Sequence, residues 1–161
     1  MVSRFMVMTA AVFGIVLCAG LPIPTRAAYI LKASPTCQAD FPTATDLIVH
    51  EVNGVRTAPQ SDTFQWITCS IPRSPNAVLA ANGSFYVDGD NLNGASTTCW
   101  IASYSYTGDF LGMSSFTTTL AHYDYFLTLP AAQLGPWAYT SLTCALPARG
   151  NGLLRGVTTV Q

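Results

Sequence analysis

The sequence predicts an all-β fold: an antiparallel β-sandwich, Ig-like or jelly-roll-like Greek key, with about eight short strands and two disulfides. Three observations predict it. Beyond residue 28, short runs with period-two alternation are each closed by Gly, Pro, Asn, Asp or Ser. Over the same stretch no window of about eleven residues keeps a clean 3.6-residue apolar period. Once a leader is removed, four cysteines remain, Cys37, Cys69, Cys99 and Cys144, an even number that reads as a disulfide framework in an exported chain.

Residues 1–27 have the three-part form of a secretory signal: Arg4, an apolar run from Phe5 to Leu21, and Pro22 to Ala27 with small residues at Thr25 and Ala27. Cleavage is expected after Ala27, which leaves residues 28–161 as one domain. The apolar run is near the short end for a span and is broken by Gly14, Gly20 and Pro22, so no stable membrane anchor is expected after leader removal. The expected location is secreted or periplasmic.

Residues Ala28 to Pro42 read as an irregular segment held by Cys37. Asp46 to Val52 is the first strand, ending at the turn dipeptide Asn53-Gly54. Phe64 to Ile71 is the second, with Ile67, Cys69 and Ile71 on one face and Phe64 and Trp66 on the other. Ala77 to Val87 is a third extended region with a break at Asn82-Gly83, and Asp88 to Gly94 reads as a loop. Thr97 to Tyr106 is the clearest strand, with Trp100, Tyr104 and Tyr106 opposite Cys99 and Ile101. Ser114 to Leu120 and Tyr123 to Leu129 are expected to pair with each other. Pro130 to Leu134 can form one helical turn. Trp137 to Leu146 carries Leu142, Cys144 and Leu146 in phase, and Leu153 to Val160 closes the chain after the Gly150-Asn-Gly152 turn.

Four cysteines allow three pairings. The sequential one, Cys37–Cys69 with Cys99–Cys144, is favoured because it closes two separate loops and pins the irregular start to the second strand. The early Cys37, the element Cys69-Ser-Ile-Pro72, the Asp-rich tip before Thr97-Thr-Cys99, and Leu142-Thr-Cys-Ala-Leu-Pro147 ahead of Leu153-Leu-Arg-Gly-Val157 together resemble a loose group of small secreted, disulfide-containing bacterial β-proteins of unknown function. That resemblance implies a secreted all-β domain framed by its cysteines, and it brings no assigned catalytic residues to carry over.

Composition excludes more than it identifies. Half of the 161 residues are hydrophobic, 9% are charged and the formal net charge is −1. Seven Lys and Arg in the whole chain cannot make a phosphate-tracking stripe, so no nucleic-acid partner is expected. No Gly-x-Ser-x-Gly elbow, phosphate loop, dinucleotide fingerprint or zinc spacing occurs. His122 and Asp124 can share one side of a strand, and His50 or a distant serine can join them only through the fold. Asp88, Asp90, Asn91 and Asn93 are oxygen donors, but they miss the EF-hand register. They leave an irregular calcium loop at Asp88 and Asp90 as the only cofactor to consider. The aromatic residues remain: Trp66, Trp100, Trp137 and the tyrosines at 86, 104, 106, 123, 125 and 139 supply flat rings with polar handles that suit sugars or a protein partner, and Tyr104, Tyr106 and Trp137 are the candidate binding residues. The expected function is non-catalytic binding of a protein or glycan outside the cytoplasm. The alternatives are a small secreted hydrolase or a structural component of the cell envelope.

Overall fold

A computed structural model describes residues 29–33, 37–71, 82–135 and 137–160. The expected signal segment and residues 77–81 of the third extended region lie outside them. The described residues form a sandwich of two antiparallel sheets. The strands are β1 (Tyr29–Ala33), β2 (Gln38–Ala39), β3 (Ile48–Glu51), β4 (Gly54–Thr57), β5 (Gln65–Ile71), β6 (Gly83–Asn91), β7 (Thr97–Tyr104), β8 (Phe110–Thr118), β9 (His122–Leu129), β10 (Tyr139–Leu146) and β11 (Gly152–Val160). One sheet has the order β3-β4-β11-β6-β9, with β1 also paired to β11. The other has the order β2-β5-β10-β7-β8. Only β3–β4 and β7–β8 are hairpins. Every other consecutive pair lies in opposite sheets, the crossing pattern by which jelly rolls enclose a core.

The core follows from the alternation. Val87, Leu127, Leu129, Leu154 and Val157 face inward from the six-stranded sheet, and Ile67, Cys69, Ile71, Cys99, Ile101, Leu142 and Cys144 from the five-stranded sheet, each 5% exposed or less. The disulfides join Cys37 to Cys69 and Cys99 to Cys144. Both lie within the five-stranded sheet. Cys99 and Cys144 are direct cross-strand partners on β7 and β10, and Cys37 enters β2 beside β5.

Several elements differ from expectation, each for a physical reason. There are eleven strands among the described residues, because the segment expected to be irregular supplies two of them and Gly54–Thr57, after the first turn, supplies a third. The β1 strand pairs with β11 in register Tyr29↔Val160, and β2 pairs with β5. The first hairpin turns at Val52 and Asn53, with Glu51 opposite Gly54. Gly54 serves close approach: a Cβ there would meet the Leu154 carbonyl oxygen at 2.5 Å and the Leu153 side chain at 2.7 Å. Residues Ser114–Leu120 and Tyr123–Leu129 do not pair. The β8 strand joins β7 and β9 joins β6, so the chain changes sheets between them. The change is fixed by buried Asn91, whose Nδ2 donates to the carbonyls of Thr118 (3.1 Å) and Leu120 (3.2 Å), and whose Oδ1 accepts from Thr97 Oγ1 at 2.6 Å. Phe116 stacks across the sandwich on Tyr125, with ring centroids 4.2 Å apart.

Candidate functional site: two outer faces of opposite character

The β6 strand runs through Asp88–Asn91, so the Asp-rich stretch is mostly strand and not loop. Asp88 and Asp90 therefore point outward from the six-stranded sheet, opposite Asp124 and His122 of β9 in register. A β-bulge in β11 between Leu154 and Gly156 leaves Arg155 as the extra residue, and it turns onto the same face. Arg155 Nε donates to Asp90 Oδ2 at 2.7 Å, while His122 Nδ1 bonds Asp90 Oδ1 at 2.6 Å. These residues line an open depression of about 440 Å³, one register step from the exposed pair Tyr86 and Phe126, with centroids 5.0 Å apart.

Burial works against the Asp90 charge, but the hydrogen bonds and charges of His122 and Arg155 outweigh it and hold the carboxyl below the usual carboxylate range. Asp88 is shifted the other way. Burial and then the facing Asp124 raise it, with Arg155 only partly offsetting them. His122 and Asp124 do share a face, yet the partner of His122 is Asp90, and among the described residues no serine or cysteine lines this depression. His50 lies on β3 in a different pocket, with Asp40 and Thr45. The described residues give an oriented ion-paired cluster.

The five-stranded sheet is different. Its strands read QA, QWITCSI, TTCWIASY, FLGMSSFTT and YTSLTCAL. None contains an acidic or basic residue. The residues in the phase opposite the core cysteines form its outer face: aromatic rings, small hydroxylated side chains, and the apolar Ala102, Met113 and Ala145, of which Met113 is 52% exposed. At one end Trp66 packs on Trp100 (centroids 4.8 Å apart) and Phe64 packs edge-on against Trp66 (5.4 Å). At the other end Tyr104 stacks on its cross-strand partner Tyr139 (5.4 Å, planes 19° apart) and meets Phe110 at 5.9 Å. Trp100 and Tyr104 are four residues apart on β7, hence about 13 Å at the rise of a strand. Thr143, Thr68 and Ser115 stand beside Trp100 in register, and the row between the two clusters holds Ser70, Ser141, Ala102 and the exposed Met113. Phe64, Phe110 and Tyr139 are 50–58% exposed.

Of the three expected binding residues, Tyr104 belongs to the second cluster. Tyr106 falls beyond the end of β7 in the turn to β8, and Trp137 precedes β10. Both are 77% exposed and line one cleft with Leu111, Gly135 and Ala138. Trp66, Trp100 and Tyr139 belong to the aromatic set the sequence offers but not to the three picked from it, and Phe64 and Phe110 lie outside that set. Their signal was present in the alternation, since Trp66 and Trp100 stand out of phase with Cys69 and Cys99.

No family model matches the sequence, and no curated protein does. Solved structures do. A xylan-binding module, CBM15, aligns with a TM-score of 0.52 at 13% identity, over 83% of this chain and 96% of its own. A family 35 carbohydrate-binding module from Clostridium thermocellum aligns at 0.44 and 8% identity, over 83% and 98%. TmCBM27, a carbohydrate-binding module described for specific mannan recognition, aligns at 0.39 and 10%, over 84% and 99%. The likeness to the first is one of fold: the chain is a two-sheet β-sandwich of that architecture.

Proposed function

We propose that this protein is a non-catalytic glycan-binding domain whose ligand, a neutral polysaccharide chain, lies across the outer face of the five-stranded sheet. One observation carries the reading: an uncharged sheet face with two aromatic clusters about 13 Å apart and hydroxyls between them. Sugar rings present C–H faces to aromatic rings and hydroxyls to hydrogen-bonding neighbours, so alternating aromatic and Ser/Thr surface matches both. A span of this length is touched at both ends only by a chain of several sugars. Among the described residues the strands of this face offer uronic-acid polymers no cation, and the carboxylates of Asp40, bonded by Thr68, and of Asp109 in the β7–β8 turn adjoin it. Exposed aliphatic side chains, which a protein interface would add to its aromatic anchors, are few on this surface.

The fold neighbour named for xylan makes xylan the first polysaccharide to try. The disulfides fit an oxidising compartment outside the cytoplasm. Among the described residues no helix is long and apolar enough to cross a membrane. Affinity electrophoresis of the disulfide-intact domain through gels containing xylan, mannan, mixed-linkage glucan or polygalacturonate tests the reading. Retardation by at least one neutral polymer, and none by polygalacturonate, is expected. Uniform mobility in all four gels would refute it.

A further inference from the structure

The cleft between Tyr106 and Trp137 differs from the face it adjoins. Its other lining residues are Leu111, Gly135, Ala138 and Ser105, and its volume is about 210 Å³. Ser105 is the only hydroxylated side chain among them, and it is already engaged. Its Oγ accepts from the backbone N–H of Thr107 (3.2 Å) and of Asp109 (3.0 Å), and it bonds Thr107 Oγ1 at 2.6 Å and Asp109 Oδ2 at 3.1 Å. These contacts close the β7–β8 turn at Gly108, whose φ of 92° suits glycine. The surface the cleft presents is almost wholly apolar, so an apolar ring is covered there without giving up hydrogen bonds, whereas a sugar ring would have only the Tyr106 hydroxyl and the Trp137 indole N–H as side-chain partners. A dry engineered cavity of about 150 Å³ already takes a benzene molecule, so the volume suits one aromatic ring between the Tyr106 and Trp137 walls.

The position of the cleft says what would carry that ring. Ser105 follows Tyr104 directly, and Ala138 precedes Tyr139, so the cleft begins where the second aromatic cluster ends. A free aromatic molecule in so open a site binds weakly. The same ring tethered to a chain already seated on the face enters at high effective concentration.

We propose that the Tyr106–Trp137 cleft is a subsite for an aromatic ester substituent on the bound glycan, so that the domain selects aryl-esterified chains over bare ones. The inference rests on the glycan-face reading above. A feruloylated arabinoxylan oligosaccharide and the same oligosaccharide after alkaline de-esterification form a matched pair of probes, measured by isothermal titration calorimetry on the disulfide-intact domain. The esterified form is expected to bind about tenfold more tightly. Trp137→Ala and Tyr106→Ala should abolish that difference while leaving the affinity for the de-esterified form unchanged. Trp100→Ala should weaken both forms alike. Because Trp137 and Tyr106 are 77% exposed, their truncation should leave Tm within about 1–2 °C of the parent, which separates loss of the subsite from loss of the fold. Equal affinity of the parent for both forms overturns the subsite and leaves the glycan face standing. Binding of neither form overturns the face for this polymer, and the subsite with it. A tenfold preference that survives Trp137→Ala also overturns the assignment.

Discussion

Removing the Cys99–Cys144 bridge by Cys99→Ala with Cys144→Ala perturbs the element on which the aromatic face is built. The bridge joins cross-strand partners at the centre of the five-stranded sheet, directly beside Trp100 and Thr143, and closes a loop of 45 residues. Chain-entropy arithmetic for that separation gives roughly 4 kcal/mol of stabilisation through the unfolded state. For a domain of this size 1 kcal/mol corresponds to about 3–5 °C, so the double variant should melt roughly 12–20 °C lower. The Cys37–Cys69 bridge spans 32 residues, and the same arithmetic gives roughly 3.7 kcal/mol. Its realised loss should be smaller. Cys37 leads into β2, which has only two ladder partners at a sheet edge, so this segment can fray without opening the four strands beyond it. Scanning calorimetry under non-reducing conditions compares the two variants, and hydrogen exchange locates the opening. A fall of less than about 5 °C for the Cys99–Cys144 variant, or a fall as large for the Cys37–Cys69 variant, would refute the reasoning.

Other outcomes follow from single contacts. Gly89→Ala should cost about 3 kcal/mol or more, because the new Cβ would fall within 2.5 Å of both the Tyr123 hydroxyl and the Leu153 carbonyl oxygen; a denaturant midpoint equal to the parent's would contradict this. Asp88→Asn should raise stability at neutral pH by less than about 1 kcal/mol. The native Asp88 carboxyl titrates above its unfolded value, so its ionisation penalises the fold, and the penalty is relieved as pH falls through that raised value. A thermal melt series from neutral to acid pH should therefore show the variant's advantage shrinking on acidification. Asp90 has the opposite sign. Its lowered native pKa contributes stability above the unfolded value near 3.8, lost as pH falls through the native one. Asp90→Asn should remove that contribution at neutral pH, which chemical denaturation at pH 7 would detect.

Much of the fold was legible because its inward side chains keep strict phase. Ile67, Cys69 and Ile71, then Leu142, Cys144 and Leu146, marked β5 and β10 with their correct faces. Strand pairing was not legible, because pairing is set by contacts distant in sequence. The three residues between β8 and β9 look like a hairpin turn until Asn91, nearly thirty residues earlier, is seen to hold the crossing. The Asp88–Asn91 stretch was read as a loop because Asp, Gly and Asn favour turns. Here they form the end of a strand whose outward Asp90 is ion-paired with Arg155 and His122 and whose Gly89 makes room for Tyr123. The aromatic face was half legible. Alternation placed Trp66, Trp100 and Tyr104 away from the core, but stacking of Tyr104 on Tyr139 depends on the β7–β10 register, and the Tyr106–Trp137 cleft on two loops meeting. The absence of charge from all five strands of one sheet becomes visible only once the strands are sorted into sheets.

The measurement that bears most directly on the glycan-face assignment is calorimetric titration of a neutral polysaccharide that retards the domain, against four proteins: the parent, Trp100→Ala, Tyr104→Ala and Asp90→Asn. Trp100 and Tyr104 sit at the two ends of the uncharged face, whereas Asp90 lies on the opposite outer face of the sandwich. Losing one aromatic platform should remove about 1.5 kcal/mol, a fall in affinity of roughly tenfold, for each of the first two variants. Asp90→Asn should bind as the parent does. If Asp90→Asn abolishes binding while Trp100→Ala and Tyr104→Ala retain it, the ligand sits in the Asp90–His122–Arg155 depression and the assignment of the face is wrong.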